Sequence, residues 1–328
     1  MSSAVRYRVR HETVYTYGSD VVHSHQLLHL MPRASPYQRC LEHSIVIAPA
    51  AHRRRDETDA FGNPVTRVEF EDAHRRLEVT AQMEMEVRPR PALYAQDTLP
   101  WEEVRQRLSY SGSKPVPEAL DAGRYRHESP YVRIKRVFDE FSADCFSPHR
   151  PILECAQALM EKVHREFSYA PGETDIATPL AEVLQTRRGV CQDFAHLMIA
   201  CLRTRGLAAR YVSGYIRLRP AARAVGAEGK QDGLRSESTC TADDAAQDDW
   251  VGTGQSHAWV AVYIPPCGWL ELDPTNDLRV GTDHIAVAWG RDFGDVSPLR
   301  GVILGGGTHT LSVGVSVERQ SGAGPAAN

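Results

Sequence analysis

Apolar and polar positions alternate with a period of two along the first ninety residues. Tyr7, Val9, His11, Thr13, Tyr15 and Tyr17 share one face, and Arg6, Arg8, Arg10 and Glu12 take the other. That pattern predicts a strand with one side in a core. A Gly18-Ser19-Asp20 turn is expected next, then a run from Val21 to Met31 that Pro32 closes. Leu41 to Ile47 and Val65 to Phe70 read as further strands, with the turn formers Asp59-Ala60-Phe61-Gly62-Asn63-Pro64 between them. Leu77, Val79, Ala81, Met83, Met85 and Val87 alternate again. Several short strands and no helix predict an antiparallel β-sandwich over residues 1–90.

Beyond the proline-rich stretch from Val87 to Pro100 the period becomes helical. Ser129-Pro130 reads as a helix start, with Ile134, Val137, Phe138 and Phe141 on one face. Pro151 opens a second helix, striped by Ile152, Ala156, Leu159, Met160, Val163 and Phe167. Thr178-Pro179 starts a short third helix that stops at Gly189. A fourth begins near Cys191, carries Phe194, Ala195, Met198, Ile199 and Leu202 on one side, and ends at Gly206. Strands return at Tyr211–Leu218, Ser256–Ile264, Gly268–Asp273, Ile285–Ala288 and Leu311–Val317. The expected class is α+β: a sandwich at 1–90, a linker with connecting helices at 91–150, and at 151–328 a core of helices on an antiparallel sheet. Residues 220–249 hold almost no large apolar side chains, so a mobile, solvated insertion is expected there, and a similar tail at 321–328.

Composition narrows the classes. With 42% hydrophobic and 24% charged residues the chain can bury a core. Its formal charge of −4 lacks the basic footprint of a nucleic-acid binder. No run of 18 apolar residues occurs, so no membrane-spanning helix is expected. Met1 to Tyr17 alternates at once without an apolar leader core, so no secretory signal is expected either. Seven cysteines, odd in number and without a CxxC pair, fit reduced thiols in a cytoplasmic protein.

Cys191 follows Gly189-Val190 at the first turn of an amphipathic helix. Helix-end amides and the helix dipole favour a thiolate there, and the same amides can face an oxyanion. Glycine at 189 would let the chain turn sharply and a substrate backbone approach. A thiolate still needs a base. His257 begins one strand and Asp273 ends the next, across the turn formers Pro265-Pro266-Cys267-Gly268. A hairpin setting residue 263 opposite 267 would put 257 opposite 273 on one face, where the imidazole takes the thiol proton and the carboxylate fixes its tautomer. Cys145, Cys155 and Cys201 read as small buried hydrophobes, whereas Cys40, Cys240 and Cys267 lack a base. A zinc site finds neither HExxH nor paired CxxC, and Gly305-Gly306-Gly307 lacks the Lys-Ser/Thr of a phosphate loop. No metal or organic cofactor is expected.

Arg188-Gly189-Val190-Cys191-Gln192-Asp193-Phe194-Ala195-His196, Ser213-Gly214-Tyr215, His257-Ala258-Trp259-Val260, Gly268-Trp269 and Leu272-Asp273-Pro274-Thr275-Asn276 together resemble the core of the bacterial transglutaminase-like proteins. The stretch around Asp59-Ala60-Phe61-Gly62-Asn63 is similar to that family's β-rich N-terminal domain. Gly290-Arg291-Asp292-Phe293, Asp295-Val296 and Pro298-Leu299-Arg300-Gly301 resemble its C-terminal signature. The resemblance implies a papain-like fold with a triad of Cys191, His257 and Asp273. Around it, Asp193 and His196 are expected to make supporting hydrogen bonds, Asp193 with Arg291. Gln192 and Tyr169 are candidates for oxyanion or substrate contacts. Trp259 shares the face of His257, either lining the cleft or, as the stronger reading, filling the core. The implied chemistry is cleavage or transfer at amide bonds through a thioester, in a cysteine peptidase or amidase acting on a peptide or protein. A transglutaminase using an amine acceptor and a silent peptide-binding protein are the alternatives. Calcium, used by some animal relatives, has no recognisable site here, and neither nucleic acid nor membrane is an expected partner.

Overall fold

The computed structural model describes residues 4–109, 117–217 and 256–320. Its first sheet is built around one very long strand, β1 (Val5–Leu28), with β2 (Gln38–Ala48), β3 (Arg53–Thr58), β4 (Pro64–Phe70) and β5 (His74–Val87) in the antiparallel order β2-β5-β1-β4-β3. The alternation holds: Tyr7, Val9, His11, Thr13 and Tyr17 are buried, as are all six apolar positions from Leu77 to Val87. The expected turn at Gly18-Ser19-Asp20 is instead an irregularity inside β1, where the pairing with β5 shifts between Thr16 and Val21. The strand bends there and passes on to β4, with Ser24 opposite Phe70. Strand β3 was not foreseen because Arg-Arg-Arg-Asp-Glu-Thr offers no apolar face; all six residues are exposed at the sheet edge.

The second unit adds α1 (Trp101–Leu108), α2 (Pro117–Gly123), α3 (Arg136–Ser142), α4 (Ile152–Glu166), β6 (Ser168–Tyr169), α5 (Leu180–Thr186), β7 (Arg188–Gly189) and α6 (Cys191–Thr204). It continues with β8 (Ala209–Ile216), β9 (His257–Ile264), β10 (Gly268–Asp273), β11 (Leu278–Arg279), β12 (His284–Gly290) and the short α7 (Phe293–Val296). Pro151 and Pro179 cap α4 and α5 as expected. Helix α3 starts at Arg136, later than its Ser129-Pro130 signal. Ser129 and Val132 exchange backbone hydrogen bonds in a turn, and the Ser129 hydroxyl accepts from Arg203, so neither is free to cap a helix. The antiparallel sheet runs β11-β10-β9-β8-β12. Helix α6, buried from Asp193 to Arg203, lies against β8 and β9 with α3, α4 and α5 also packed on it.

The C-terminal strands β13 (Leu299–Gly305) and β14 (His309–Gln320) leave this sheet and pair antiparallel with β1. Placing Leu311–Val317 in the core, as the 151–328 span does, is therefore corrected: alternation shows that a strand exists but not which sheet it joins. The glycine loop between β13 and β14 stitches the bend of β1, Gly306 donating to the Asp20 carbonyl at 3.0 Å and Gly18 to that of Thr308 at 2.8 Å. The 220–249 insertion and the 321–328 tail lie outside the described residues.

The outer edge of β12 faces the first unit, whose side chains replace a missing strand. The Gln38 amide donates to the Ala286 carbonyl at 2.6 Å and accepts its N–H at 2.9 Å. Asn63 does the same to Trp289, at 2.9 and 3.0 Å, and the Arg33 N–H reaches the Val287 carbonyl at 3.2 Å. Asn63 is oriented by Asp59, whose carboxylate accepts its backbone N–H and its amide, both at 2.8 Å. The Asp59-to-Asn63 turn is thus a docking element.

Candidate active site

Cys191 opens α6 and is half-buried. The parallel pairing of β6 with β7 sets Tyr169 beside Gly189, and the Cys191 sulfur lies close enough for its charge to raise the Tyr169 phenol, after burial. Gly189 has no left-handed φ, so a sharp turn is not its reason. A Cβ there would stand 2.8 Å from Asp193 Oδ2, and glycine leaves room for that carboxylate to fold back. Asp193 Oδ2 accepts the Val190 N–H at 2.9 Å and the Thr174 hydroxyl at 2.7 Å, closing the helix start from below. The expected tie from Asp193 to Arg291 is absent. Arg291 is engaged by Asp295, with two contacts of 2.9 Å four residues along the chain.

His196 lies on the buried side of α6, stacked on Tyr131 with ring planes 7° apart, and accepts the Phe293 N–H at 3.1 Å. Its role is to join α6 to α7. Burial pushes its pKa down to about 3, and burial likewise pushes His11, bonded to the Tyr215 hydroxyl, down to about 4. Both are neutral in the fold, while the unfolded chain takes up their protons near 6.5. Their stability contribution is therefore whole above about pH 6.5 and is lost as pH falls toward the folded values, at about 1.4 kcal/mol per pH unit for each histidine. Urea midpoints at pH 7, 5.5 and 4.5 should fall in that order. A midpoint constant over this range would contradict the burial of these two rings.

His257 begins β9 and Asp273 ends β10. The hairpin register differs from expectation by two residues, with Tyr263 opposite Trp269 and Leu272 opposite Val260. An even shift keeps every side chain on its face, so His257 and Asp273 stay together as a diagonal pair. His257 Nε2 meets Asp273 Oδ2 at 2.8 Å. Cys191 lies near enough to the same ring to raise the pKa of His257, and with Nε2 committed to the carboxylate, Nδ1 is the nitrogen left to face the sulfur. Burial opposes a charge on His257, but the bond to Asp273, the contact with Cys191 and the charges of both outweigh it and hold the imidazole well above its ordinary range. Asp273, also buried, is held far below the carboxylate range by its histidine contacts.

Three residues to which the sequence reading gave no role converge on Asp273. The Thr275 and Asn276 N–H groups donate to Oδ1 at 3.0 and 3.3 Å, the turn that Asp-Pro-Thr-Asn builds. The Asn276 amide donates to Oδ2 at 2.7 Å, and His284 Nε2 lies 3.2 Å from the same oxygen. Trp259 is wholly buried, its indole donating to Glu271 at 2.7 Å and its ring against His257 and His284. It is core, and the cleft-lining alternative is withdrawn. Gly214, opposite His257, makes room for it: a Cβ there would stand 2.5 Å from the indole and 2.1 Å from the Ile285 carbonyl. Gln192 is half-buried next to the thiol and Tyr169 is exposed beside it, so both remain able to meet a substrate. Among the described residues no group of three or more His, Cys, Asp or Glu side chains could hold a metal, and no helix is long and apolar enough to cross a membrane.

A helix-borne thiol, a strand-borne imidazole and a buried carboxylate, on helices packed against an antiparallel sheet, describe a thiol-dependent enzyme fold. The chain belongs to the transglutaminase-like superfamily: the family profile covers residues 139–274, and the bacterial transglutaminase-like N-terminal region covers residues 7–86. The uncharacterized protein Rv2569c of Mycobacterium tuberculosis is 36% identical over 97% of this chain and 93% of its own length. The uncharacterized protein ML0607 of Mycobacterium leprae is 30% identical over 96% and 99%. A crystal structure described as "a Putative Cysteine Protease from Cytophaga hutchinsonii" shares the fold with a TM-score of 0.72 at 15% identity, covering 98% of this chain and 92% of that one.

Proposed function

We propose that this protein is a cysteine peptidase or amidase that works through a thioester on Cys191. The observation that carries this is the 2.8 Å bond between His257 and Asp273 at the start of the hairpin, with Cys191 at the head of α6 near enough to raise the His257 pKa. Cys191 Sγ attacks the amide carbon, and the carbonyl electrons move to oxygen, where unpaired N–H groups of the first turn of α6 receive them. His257 gives its proton to the leaving nitrogen, the C–N bond breaks, and a thioester remains. Water then attacks with one proton passing to His257, which restores the thiolate and releases a carboxylic acid that ionises in solvent. Asp273 holds the ring and stabilises the imidazolium between these steps.

Hydrolysis is favoured over amine transfer because the thiol is half-buried rather than sealed, beside an exposed Tyr169. The six cysteines among the described residues are all free, which favours a reducing compartment such as the cytoplasm. The test is to incubate wild type and Cys191→Ala with a peptide library, with and without a fluorescent primary amine, and to identify products by mass spectrometry. New carboxylate termini that form only with the wild type are expected. Amine adducts as the main product would establish the transglutaminase instead, and no product from any peptide would leave a binding protein.

A further inference from the structure

His284 stands at the start of β12, in the strand next to the one that pairs with His257. It is 3% exposed. Its Nε2 has a hydrogen-bonding partner in Asp273 Oδ2, while Nδ1 is buried without one. The ring stands edge-on to Trp259 at 5.3 Å, with 6.5 Å between its centroid and that of His257. A buried imidazole loses hydration at both nitrogens and recovers a bond at one, so packing alone gives no reason for a histidine here. The bond it does make goes to the oxygen that also receives His257. The strand that carries it is fixed two residues on, where Gln38 grips Ala286.

We propose that His284 is a positioning residue, a second imidazole that donates Nε2–H to Asp273 and keeps the carboxylate aimed at His257. Asp273 Oδ2 then has donors from three directions, His257, Asn276 and His284, and cannot rotate about its χ2 without disturbing all three. The tautomer follows: the proton sits on Nε2, and Nδ1 is the bare nitrogen. This rests on the triad proposed above, and it adds a fourth side chain to that triad's support.

The test uses full-length protein carrying 15N-labelled histidine, with two readouts: the His257 Nε2–H resonance, assigned by its loss in His257→Gln, and the rate at which iodoacetamide alkylates Cys191. In His284→Phe the resonance should move or vanish into exchange with water, and alkylation should slow on the order of 10-fold. His284→Gln, whose Nε2 reaches the same oxygen, should restore both. His284→Asn sets its amide back where Nδ1 stands and serves as the second disrupting variant should His284→Phe not fold. Unchanged resonance and rate in a folded disrupting variant, even with a lowered melting temperature, would mean a packing role and overturn the proposal. Alkylation independent of His257 in otherwise wild-type protein would instead defeat the enzyme reading, while the resonance still reported on His284.

Discussion

Replacing His257 with alanine is expected to slow alkylation of Cys191 by iodoacetamide on the order of 10- to 100-fold at neutral pH, and amide turnover on the order of 10²- to 10⁴-fold. Thiolates are the reactive form of cysteine, and the His257 imidazolium is the charge the proposed mechanism sets beside Cys191. Because His257 is held well above the ordinary histidine range, that charge persists through neutrality and is lost only as pH climbs through the raised value. The same molecule supplies the controls. Burial pushes the thiols of Cys145 and Cys155 up to about 11 and 12 and that of Cys201 higher still, so in native protein these three should stay unlabelled. Peptide-resolved mass spectrometry separates the sites. Equal labelling of Cys191 in wild type and His257→Ala would remove the imidazole from the chemistry altogether.

The second large effect is expected far from the thiol. Arg203, in the last turn of α6, is buried, and among the described residues no carboxylate stands at hydrogen-bonding distance from it. Its guanidinium donates to the carbonyls of Tyr125, Ala209 and Arg291 at 2.9, 2.9 and 2.6 Å, and to the Ser129 hydroxyl at 3.2 Å. Burial pulls its pKa down to about 10, with the nearby Asp292 charge offsetting part of that. Arg203→Met keeps the volume and strands the Ala209 and Arg291 carbonyls, while the Tyr125 carbonyl keeps the Ala209 N–H. At roughly 1–3 kcal/mol for each buried group left unpaired, and with the serine free to turn away, a loss of about 4 kcal/mol is expected. Arg203→Lys should recover little, since one ammonium cannot reach sites spread by a planar fork. Chemical denaturation measures both. A loss below about 1 kcal/mol for Arg203→Met would show that water replaces the guanidinium in that cage.

Most of the candidate site was legible because its parts lie at element ends. Cys191 at a helix start, and His257 and Asp273 at opposite ends of a hairpin, are marked by the switch from one period to another, and the face argument survived a register error because the error was even. His284 left no such mark: it heads an apolar strand like any other polar first residue, in a chain with 14 histidines. Its meaning depends on β12 lying next to β8, a non-local pairing that no pattern within the strand encodes. The same limit explains β14, whose alternation was visible but whose partner, β1, lies nearly three hundred residues away, while β13 was not read as a strand at all. Ser129-Pro130 failed for another reason, since a local capping signal lost to the tertiary demand of Arg203 for the serine hydroxyl.

Gln38 and Asn63 take hold of main-chain atoms of β12 and ignore its side chains. Any residue but proline at 286 and 289 offers the same N–H and C=O, so these grips set no rule for which side chains those positions carry, whereas the two carboxamides have no substitute of equal reach. A fragment trimmed to residues 139–274 would stop short of β12 and leave β8 with a bare edge, the template on which chains aggregate. The N-terminal sheet is then less an accessory to the thiol than the last strand of its scaffold, supplied as side chains.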